Sequence, residues 1–150
     1  MRLRRATPAD AAVIGHHRAR MFADMGELDG VSVADLEAAS VADVRGLLER
    51  GEYFGWLAEV DEGVVAGAGA MWRRLLPRGR ELGVRREAYV LNVYTEPAYR
   101  GRGIARMVME AVIDWARSEG AVRITLHASD EGRRVYEPLG FTPTNEMRLK

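Results

Sequence analysis

The sequence predicts a single domain of the α/β (α+β) class that spans residues 1–150 and is built on a mixed, mostly antiparallel sheet. The first observation is size, since 150 residues with a 47% hydrophobic fraction suffice for one apolar core. The second is a pair of strand-like segments separated by a three-residue turn, which predicts an antiparallel hairpin. The third is a strand, an amphipathic helix and another strand in succession, which predicts a parallel βαβ unit.

The amino-terminal third predicts one short strand and two helices. Residues 2–6 have the composition of a strand. Thr7-Pro8-Ala9-Asp10 then combines a capping hydroxyl, a proline at the first helical position and an acid, which predicts a helix reaching Met25. Ser32-Val33-Ala34-Asp35 repeats this start signal, and Gly51 marks the end of the second helix.

The middle of the chain predicts three strands and a loop. Residues 53–60 and 64–72 form the two arms of the hairpin. Residues 73–86 hold six arginines, one proline and two glycines without periodicity, which predicts a loop. Residues 88–95 have the β-branched and aromatic content of a buried strand, and Pro97 ends it.

The strongest periodic pattern is a stripe of apolar side chains recurring at i, i+3, i+4 and i+7: Ile104, Met107, Val108, Ala111, Val112, Trp115 and Ala116. This stripe predicts a core-facing helix that ends at Gly120. After it, residues 122–128 predict a strand, residues 131–139 a short helix and residues 141–149 a last strand.

Composition excludes several classes of protein. The chain has no cysteine, which excludes a disulfide framework, a thiolate zinc site and a cysteine nucleophile, and favours a cytoplasmic location. Its 22 basic and 22 acidic residues cancel, and the arginine-rich loop lacks interleaved aromatic residues, so nucleic acid is not expected as a ligand. Neither a signal peptide nor a membrane span is predicted. His16 and His17 are adjacent and share no helix face, so no metal is expected.

Chemistry is indicated between strand 88–95 and the long helix, where Gly101 and Gly103 precede the first helical residue. Glycines at such a position let backbone N–H groups converge, and a helix amino terminus carries about half a positive charge. Three arginines add cationic donors: Arg100, Arg102 and Arg106. The segment therefore favours an anion such as a pyrophosphate, although the dinucleotide fingerprint and the G-x-x-x-x-G-K-[ST] phosphate loop are both absent.

Two motifs carry a resemblance to a known family. The first is Arg100-Gly101-Arg102-Gly103-Ile104-Ala105, and the second is Tyr136-Glu137-Pro138-Leu139-Gly140-Phe141. They resemble the R/Q-x-x-G-x-G/A pyrophosphate loop and the Tyr-Glu-x-x-Gly-Phe signature of the GNAT superfamily of acyl-CoA-dependent N-acetyltransferases. The predicted order of elements is similar over nearly the whole chain. The resemblance implies a GNAT-like domain with splayed central strands and acetyl-CoA as the cosubstrate.

The resemblance also implies roles for individual residues. Tyr136 would protonate the departing CoA thiolate, and Ser129 would contact the CoA arm where many members carry asparagine. The backbone amide of Val93 would point at the thioester carbonyl, where a fixed N–H stabilises a tetrahedral intermediate. The central strand would align the pantetheine arm through Val93, Tyr94 and Thr95. The pyrophosphate would be bound by six consecutive residues: Arg100, Gly101, Arg102, Gly103, Ile104 and Ala105.

The general base stays open at this point. Some members of the family carry a glutamate at the position of Tyr89. Glu87, on the same face of the strand, is one candidate for the base, and His127 on the following strand is another. A proton transfer relayed by water is the third.

The acceptor is expected to be a small-molecule or peptide amine that attacks the thioester directly, without a covalent enzyme intermediate. The first two helices wall the acceptor site in the family, and here they carry an acidic block that favours a cationic amine: Asp24, Glu27, Asp29, Asp35, Glu37, Asp43 and Glu49. A catalytically silent acyl-CoA-binding module on the same fold is the alternative function. Dimers are common in the family, so a homodimer is a further expectation.

Overall fold

The computed structural model describes residues 1–150, and its central feature is a sheet of five strands in the order β1-β2-β3-β4-β5. The first four strands are antiparallel to their neighbours, whereas β5 pairs in parallel with β4, as the predicted βαβ unit requires. The strands are β1 (Arg2–Arg5), β2 (Tyr53–Val60), β3 (Gly63–Leu75), β4 (Arg85–Thr95) and β5 (Arg123–Leu126).

Four helices flank the sheet: α1 (Ala11–Asp24), α2 (Val33–Glu49), α3 (Ile104–Ser118) and α4 (Arg133–Tyr136). Both predicted start signals are confirmed. The N–H of Thr7 donates to the Asp10 carboxylate at 2.8 Å in a 3-10 turn before α1. The hydroxyl of Ser32 accepts the N–H of Asp35 at 3.0 Å in the first turn of α2. None of the helices combines the length and the apolar character needed to span a bilayer.

Two apolar cores hold the helices to the sheet. In the larger core, the predicted stripe of α3 packs against strands whose buried side chains are mostly alanine: Ala58, Ala66, Ala68, Ala70 and Ala88. Small side chains let the helix backbone approach the sheet closely. In the smaller core, Ile14 of α1 and Val44 of α2 contact Tyr53 and Leu57 of β2. The α+β class and the predicted core-facing helix are thereby confirmed.

The arginine-rich loop is shorter than predicted. β3 and β4 remain paired as far as Leu75 and Arg85, so only residues 76–84 lie outside the sheet. Arg73 is paired with Glu87 in the ladder, and its guanidinium also forms an ion pair with that carboxylate, with 2.6 Å between Nη2 and Oε2. Cross-strand charge pairing of this kind leaves no trace in hydrophobic periodicity.

The predicted last strand, residues 141–149, is wrong. The chain from Phe141 onward has neither helix nor strand, and the edge of β5 that could have paired with it is open. Met147 and Leu149 are 94% and 99% exposed, so their apolar side chains pack on nothing. Strand-like composition predicts a strand only where a pairing partner is available.

The two adjacent histidines contact carboxylates on different elements. His17 is buried beneath the ring of Tyr94, with 4.9 Å between ring centroids, and its Nε2 lies 3.1 Å from Oε1 of Glu96. Burial lowers the pKa of His17, and the neutral ring then donates its Nε2 hydrogen to Glu96. The neighbouring His16 instead lies against Glu37 of α2. Each histidine therefore links α1 to another element.

A tight contact inside the sheet yields a stability prediction. Gly69 of β3 lies beneath the buried ring of Tyr53, and a Cβ added at position 69 would be 2.0 Å from the Tyr53 hydroxyl oxygen. We expect Gly69→Ala to lower the free energy of unfolding by about 1–3 kcal/mol, because the tyrosine must move out of a packed core. Urea denaturation measures this loss. Gly83→Ala, which adds a methyl group to open space, is the control, and equal stability of the two variants would contradict the prediction.

Candidate active site

A cleft opens where β4 and β5 separate. The two strands pair only from Glu87 with Arg123 to Val90 with Leu126, and β4 then continues to Thr95 without β5 beside it. The cleft has a volume of about 950 Å³ and is lined by the end of α1, β4, residues 99–101 and 103–106, the end of β5 and α4. This separation is the splaying that the resemblance implied.

The backbone of β4 is irregular within the cleft. Asn92 has φ of +57°, and the pairing with β3 shifts register between Leu91 and Tyr94. The buried Asn92 side chain holds this bulge, because its amide donates to the Tyr53 hydroxyl at 3.2 Å and its carbonyl accepts from Arg18 at 2.6 Å. A bulge re-aims the backbone of the residues that follow it. Val93, whose backbone N–H is predicted to donate to the thioester carbonyl, comes directly after Asn92 and lines the cleft.

The predicted pyrophosphate loop lies at the start of α3. Gly101 and Gly103 both have φ of +77°, a conformation that favours glycine, and Ile104 is the first residue of the helix. The space around both glycines is open, because a Cβ added at either position would meet no atom within 4 Å. The loop backbone is therefore not covered by other parts of the protein. The loop can therefore present N–H groups and the positive end of the α3 dipole to an anion.

Arg100 is held by contacts within the protein. Its guanidinium forms an ion pair with Asp24 at 2.9 Å and donates to the carbonyl of Thr95 at 2.9 Å. These contacts attach the loop to the end of α1 and to β4. Arg102 is the one residue of the predicted loop that does not line the cleft; its guanidinium carbon lies 5.2 Å from the centre of the Tyr99 ring, and it has no carboxylate partner.

Tyr136 closes the cleft on the side of α4. It is the last residue of that helix, and its ring packs edge-on against Phe141 with 6.0 Å between centroids. Burial raises the pKa of Tyr136 to about 12, so the phenol keeps its proton at neutral pH. Ser129 also lines the cleft, but its hydroxyl accepts the N–H of Gly132 at 3.0 Å and so supports the turn into α4.

Glu87 does not lie where the sequence-based hypothesis required. Its side chain is 1% exposed, pairs with Arg73, accepts the hydroxyl hydrogen of Thr125 and lies 3.7 Å from Arg123. It is absent from the lining of the cleft. A base must reach the proton that it removes, so this placement corrects the hypothesis that Glu87 is the base.

His127 and Tyr89 do line the cleft, and they form a pair. The Nδ1 atom of His127 lies 2.7 Å from the Tyr89 hydroxyl, and the two rings pack edge-on. On the other side of the imidazole, Nε2 lies 3.3 Å from Nη2 of Arg148 and 3.4 Å from Oε1 of Glu146. His127 is thus the candidate base from the sequence that the structure brings into the cleft.

The acidic block is largely outside the cleft. Only Asp24 and Glu27 of the seven acids line it, and Asp24 is already paired with Arg100. Three arginines that the sequence did not single out also line the cleft: Arg18, Arg134 and Arg148. Arg18 and Phe22 lie one helical turn apart on α1, with 4.8 Å between the guanidinium carbon and the ring centre. In a chain this rich in arginine, only the helix face that Arg18 shares with Phe22 could have drawn attention to Arg18 from the sequence.

Comparison with known proteins agrees with this arrangement. The sequence model of the acetyltransferase (GNAT) family matches residues 28–141. The chain belongs to the GNAT family of acetyltransferases. This match includes the splayed strands, the glycine loop and the Tyr136 motif, and it confirms the family that the two motifs resembled.

Solved structures with the GNAT fold align over almost the whole chain. A GCN5-related N-acetyltransferase from Ralstonia eutropha JMP134 is 28% identical with a TM-score of 0.87, over 99% of this chain and 97% of that chain. A predicted acetyltransferase from Clostridium acetobutylicum, solved with acetyl-CoA, is 27% identical with a TM-score of 0.87, over 99% of this chain and 95% of that chain.

Curated relatives of this GNAT protein match over shorter segments. Glucosamine 6-phosphate N-acetyltransferase from Trypanosoma brucei brucei is 31% identical over 68 residues, which cover 45% of this chain and 46% of that protein. The chain spans less than half the length of the curated relatives it matches. Mycothiol acetyltransferase from Beutenbergia cavernae is 33% identical over 91 residues, which cover 59% of this chain and 28% of that protein. Both relatives are acetyltransferases by name, and the two names specify different small molecules.

Proposed function

We propose that this protein transfers an acetyl group from acetyl-CoA to the nitrogen of a small-molecule or peptide amine. The observation that carries the proposal is the cleft between β4 and β5, with a glycine loop of positive φ and the start of α3 at one end. An elongated ligand with a pyrophosphate at one end and a thioester at the other fits this arrangement. The solved relative that contains acetyl-CoA supports the same donor.

The donor would be bound mainly by backbone groups. The N–H groups of residues 101–105 and the positive end of the α3 dipole would face the pyrophosphate, with Arg102 as a cationic partner. The pantetheine arm would run along β4 beside Val93, Tyr94 and Thr95, where β5 leaves the strand edge unpaired. Both parts of the ligand would thus form hydrogen bonds with backbone donors and acceptors that have no partner within the fold.

The reaction would proceed by direct attack. The lone pair of the neutral amine forms the new C–N bond, the C–S bond breaks and CoA leaves as the thiolate. The Val93 N–H would donate to the thioester oxygen as it gains charge, which contributes about 3–4 kcal/mol in comparable sites. The attacking nitrogen must also lose one proton, and His127, oriented by Tyr89, would accept it.

Tyr136 would act on the leaving group as a hydrogen-bond donor. Its pKa of about 12 lies well above the reference value of about 8.5 for a thiol. The phenol therefore still carries its proton when the thiolate forms, and a hydrogen bond from it to the sulfur stabilises the developing negative charge. This role refines the simple protonation that the resemblance implied.

Release of free thiol from acetyl-CoA tests the proposal. We expect turnover with at least one member of a broad panel of primary amines, together with a product that carries one acetyl group by mass spectrometry. His127→Gln should reduce that turnover by about 100-fold or more without changing acetyl-CoA affinity. Tight binding of acetyl-CoA with no thiol release across the panel would instead support the silent acyl-CoA-binding module.

A further inference from the structure

We propose that the acceptor amine carries an anionic group, a carboxylate or a phosphate, and that Arg18 binds it. The inference deepens the proposed function and rests on it, because it names the chemical class of the second substrate. It replaces the hypothesis of a cationic acceptor. That hypothesis depended on an acidic block of which only Asp24 and Glu27 reach the cleft, the first of them paired with Arg100.

Arg18 is held rigidly at the wall of the cleft. Its Nη1 donates to the side-chain carbonyl of Asn92 at 2.6 Å, and Asn92 in turn donates to Tyr53, which is 3% exposed. The aromatic ring of Phe22 supports the guanidinium carbon at 4.8 Å. A guanidinium fixed in this way is pre-organised, so it loses little side-chain entropy when it binds a ligand.

The positive charge of Arg18 has no acidic partner in the protein. Four other arginines line the cleft: Arg100 and Arg106 form ion pairs with Asp24 and Glu110, whereas Arg134 and Arg148 lack a carboxylate partner but are exposed. Arg18 is half-buried, and its one side-chain hydrogen bond is to a neutral amide oxygen. Its remaining N–H donors match the two oxygens of a carboxylate or a phosphate, which a planar guanidinium binds in parallel.

The position of Arg18 also restricts the acceptor. Asn92, its hydrogen-bond partner, directly precedes Val93, the proposed donor to the thioester oxygen. Because Arg18 and Val93 line the same cleft, an anion bound at Arg18 would share that cleft with the carbon that the amine attacks. We infer an acceptor whose amine and acidic group are a few bonds apart, as in an α-amino acid or a phosphorylated amino sugar.

Pairs of amines that differ only in the acidic group test the inference. One arm compares amino acids with their amides, and the other compares a hexosamine 6-phosphate with the unphosphorylated hexosamine. Thiol release is measured for the wild-type protein, Arg18→Gln and Arg18→Lys. Arg45→Gln removes the same charge from an exposed position of α2 outside the cleft and is the control. Thermal unfolding establishes that each variant is folded.

We expect the wild-type protein to favour the acidic member of at least one pair by 10-fold or more in kcat/KM, and the arm in which this occurs identifies carboxylate or phosphate. Arg18→Gln should raise KM for the acidic amine by about 10–100-fold, at least 10-fold more than any change that it causes with the neutral amine. Arg18→Lys should retain part of the preference, and Arg45→Gln all of it.

Two results would overturn the inference while the proposed function stands. One is a wild-type preference for neutral or polycationic amines. The other is an equal loss of kcat on acidic and neutral amines in a folded Arg18→Gln, since that result assigns Arg18 to supporting the β4 bulge. Absence of thiol release with every amine refutes the proposed function, and the inference fails with it.

Discussion

Replacement of Tyr136 by phenylalanine is expected to lower kcat by about 100-fold or more, with the Kd of acetyl-CoA unchanged. The phenol lies in the cleft, and burial raises its pKa to about 12, so its hydrogen is available to a departing thiolate at every pH at which the protein is assayed. Phenylalanine keeps the ring and its packing on Phe141 but removes the donor. Steady-state thiol release and equilibrium binding of acetyl-CoA measure the two quantities separately.

The thermal stability of the Tyr136→Phe protein is the control in this experiment. An unchanged unfolding midpoint shows that any loss of rate belongs to the hydroxyl group and not to the packing of α4. A variant that turns over at the wild-type rate would remove Tyr136 from the reaction. A rise in Kd with kcat intact would instead make it a residue that binds the donor.

Replacement of Gly103 by valine is expected to weaken acetyl-CoA binding by about 100-fold. Gly103 has φ of +77° immediately before α3, and a β-branched residue is strained in that conformation by about 1–3 kcal/mol. Relief of the strain would rotate the N–H groups away from the pyrophosphate. Loss of two hydrogen bonds to a charged phosphate corresponds to about 3 kcal/mol or more, which is the expected change in affinity. Isothermal titration with CoA measures it.

Gly120 offers a matched control at the other end of the same helix. Its φ is +82°, and an added side chain there would meet open space outside the cleft. Gly120→Val should therefore lower stability by a similar amount and leave CoA binding intact. If both valine variants weakened binding equally, the effect would come from loss of α3 stability, and the loop would lose its proposed role.

The parts of the site that sequence predicts well are those built from neighbours in the chain. Gly101 and Gly103 lie within a few residues of the helix that they precede, so their spacing alone predicts a loop of positive φ at a helix start. The α3 stripe likewise depends only on helical periodicity. The family resemblance was built on these local patterns and on the Tyr136 motif, and the family match confirms it.

The parts that sequence did not predict depend on contacts between distant residues. Glu87 is a reasonable base on β4 until Arg73 of β3 and Thr125 of β5 enclose its carboxylate. Residues 141–149 have the composition of a strand, but no strand pairs with them. Arg18 becomes part of the site through Asn92, which is 74 residues away in the chain.

The sequence by itself determined the class of fold, the loop suited to a pyrophosphate and the family, because those properties arise from interactions over a few residues. The tertiary structure decided which charges face the cleft. It enclosed Glu87, paired Asp24 with Arg100 and left Arg18 and His127 lining the cleft. Burial and ion pairing depend on which elements pack together, and for these side chains that packing, more than the total charge of zero, sets the electrostatic character of the acceptor site.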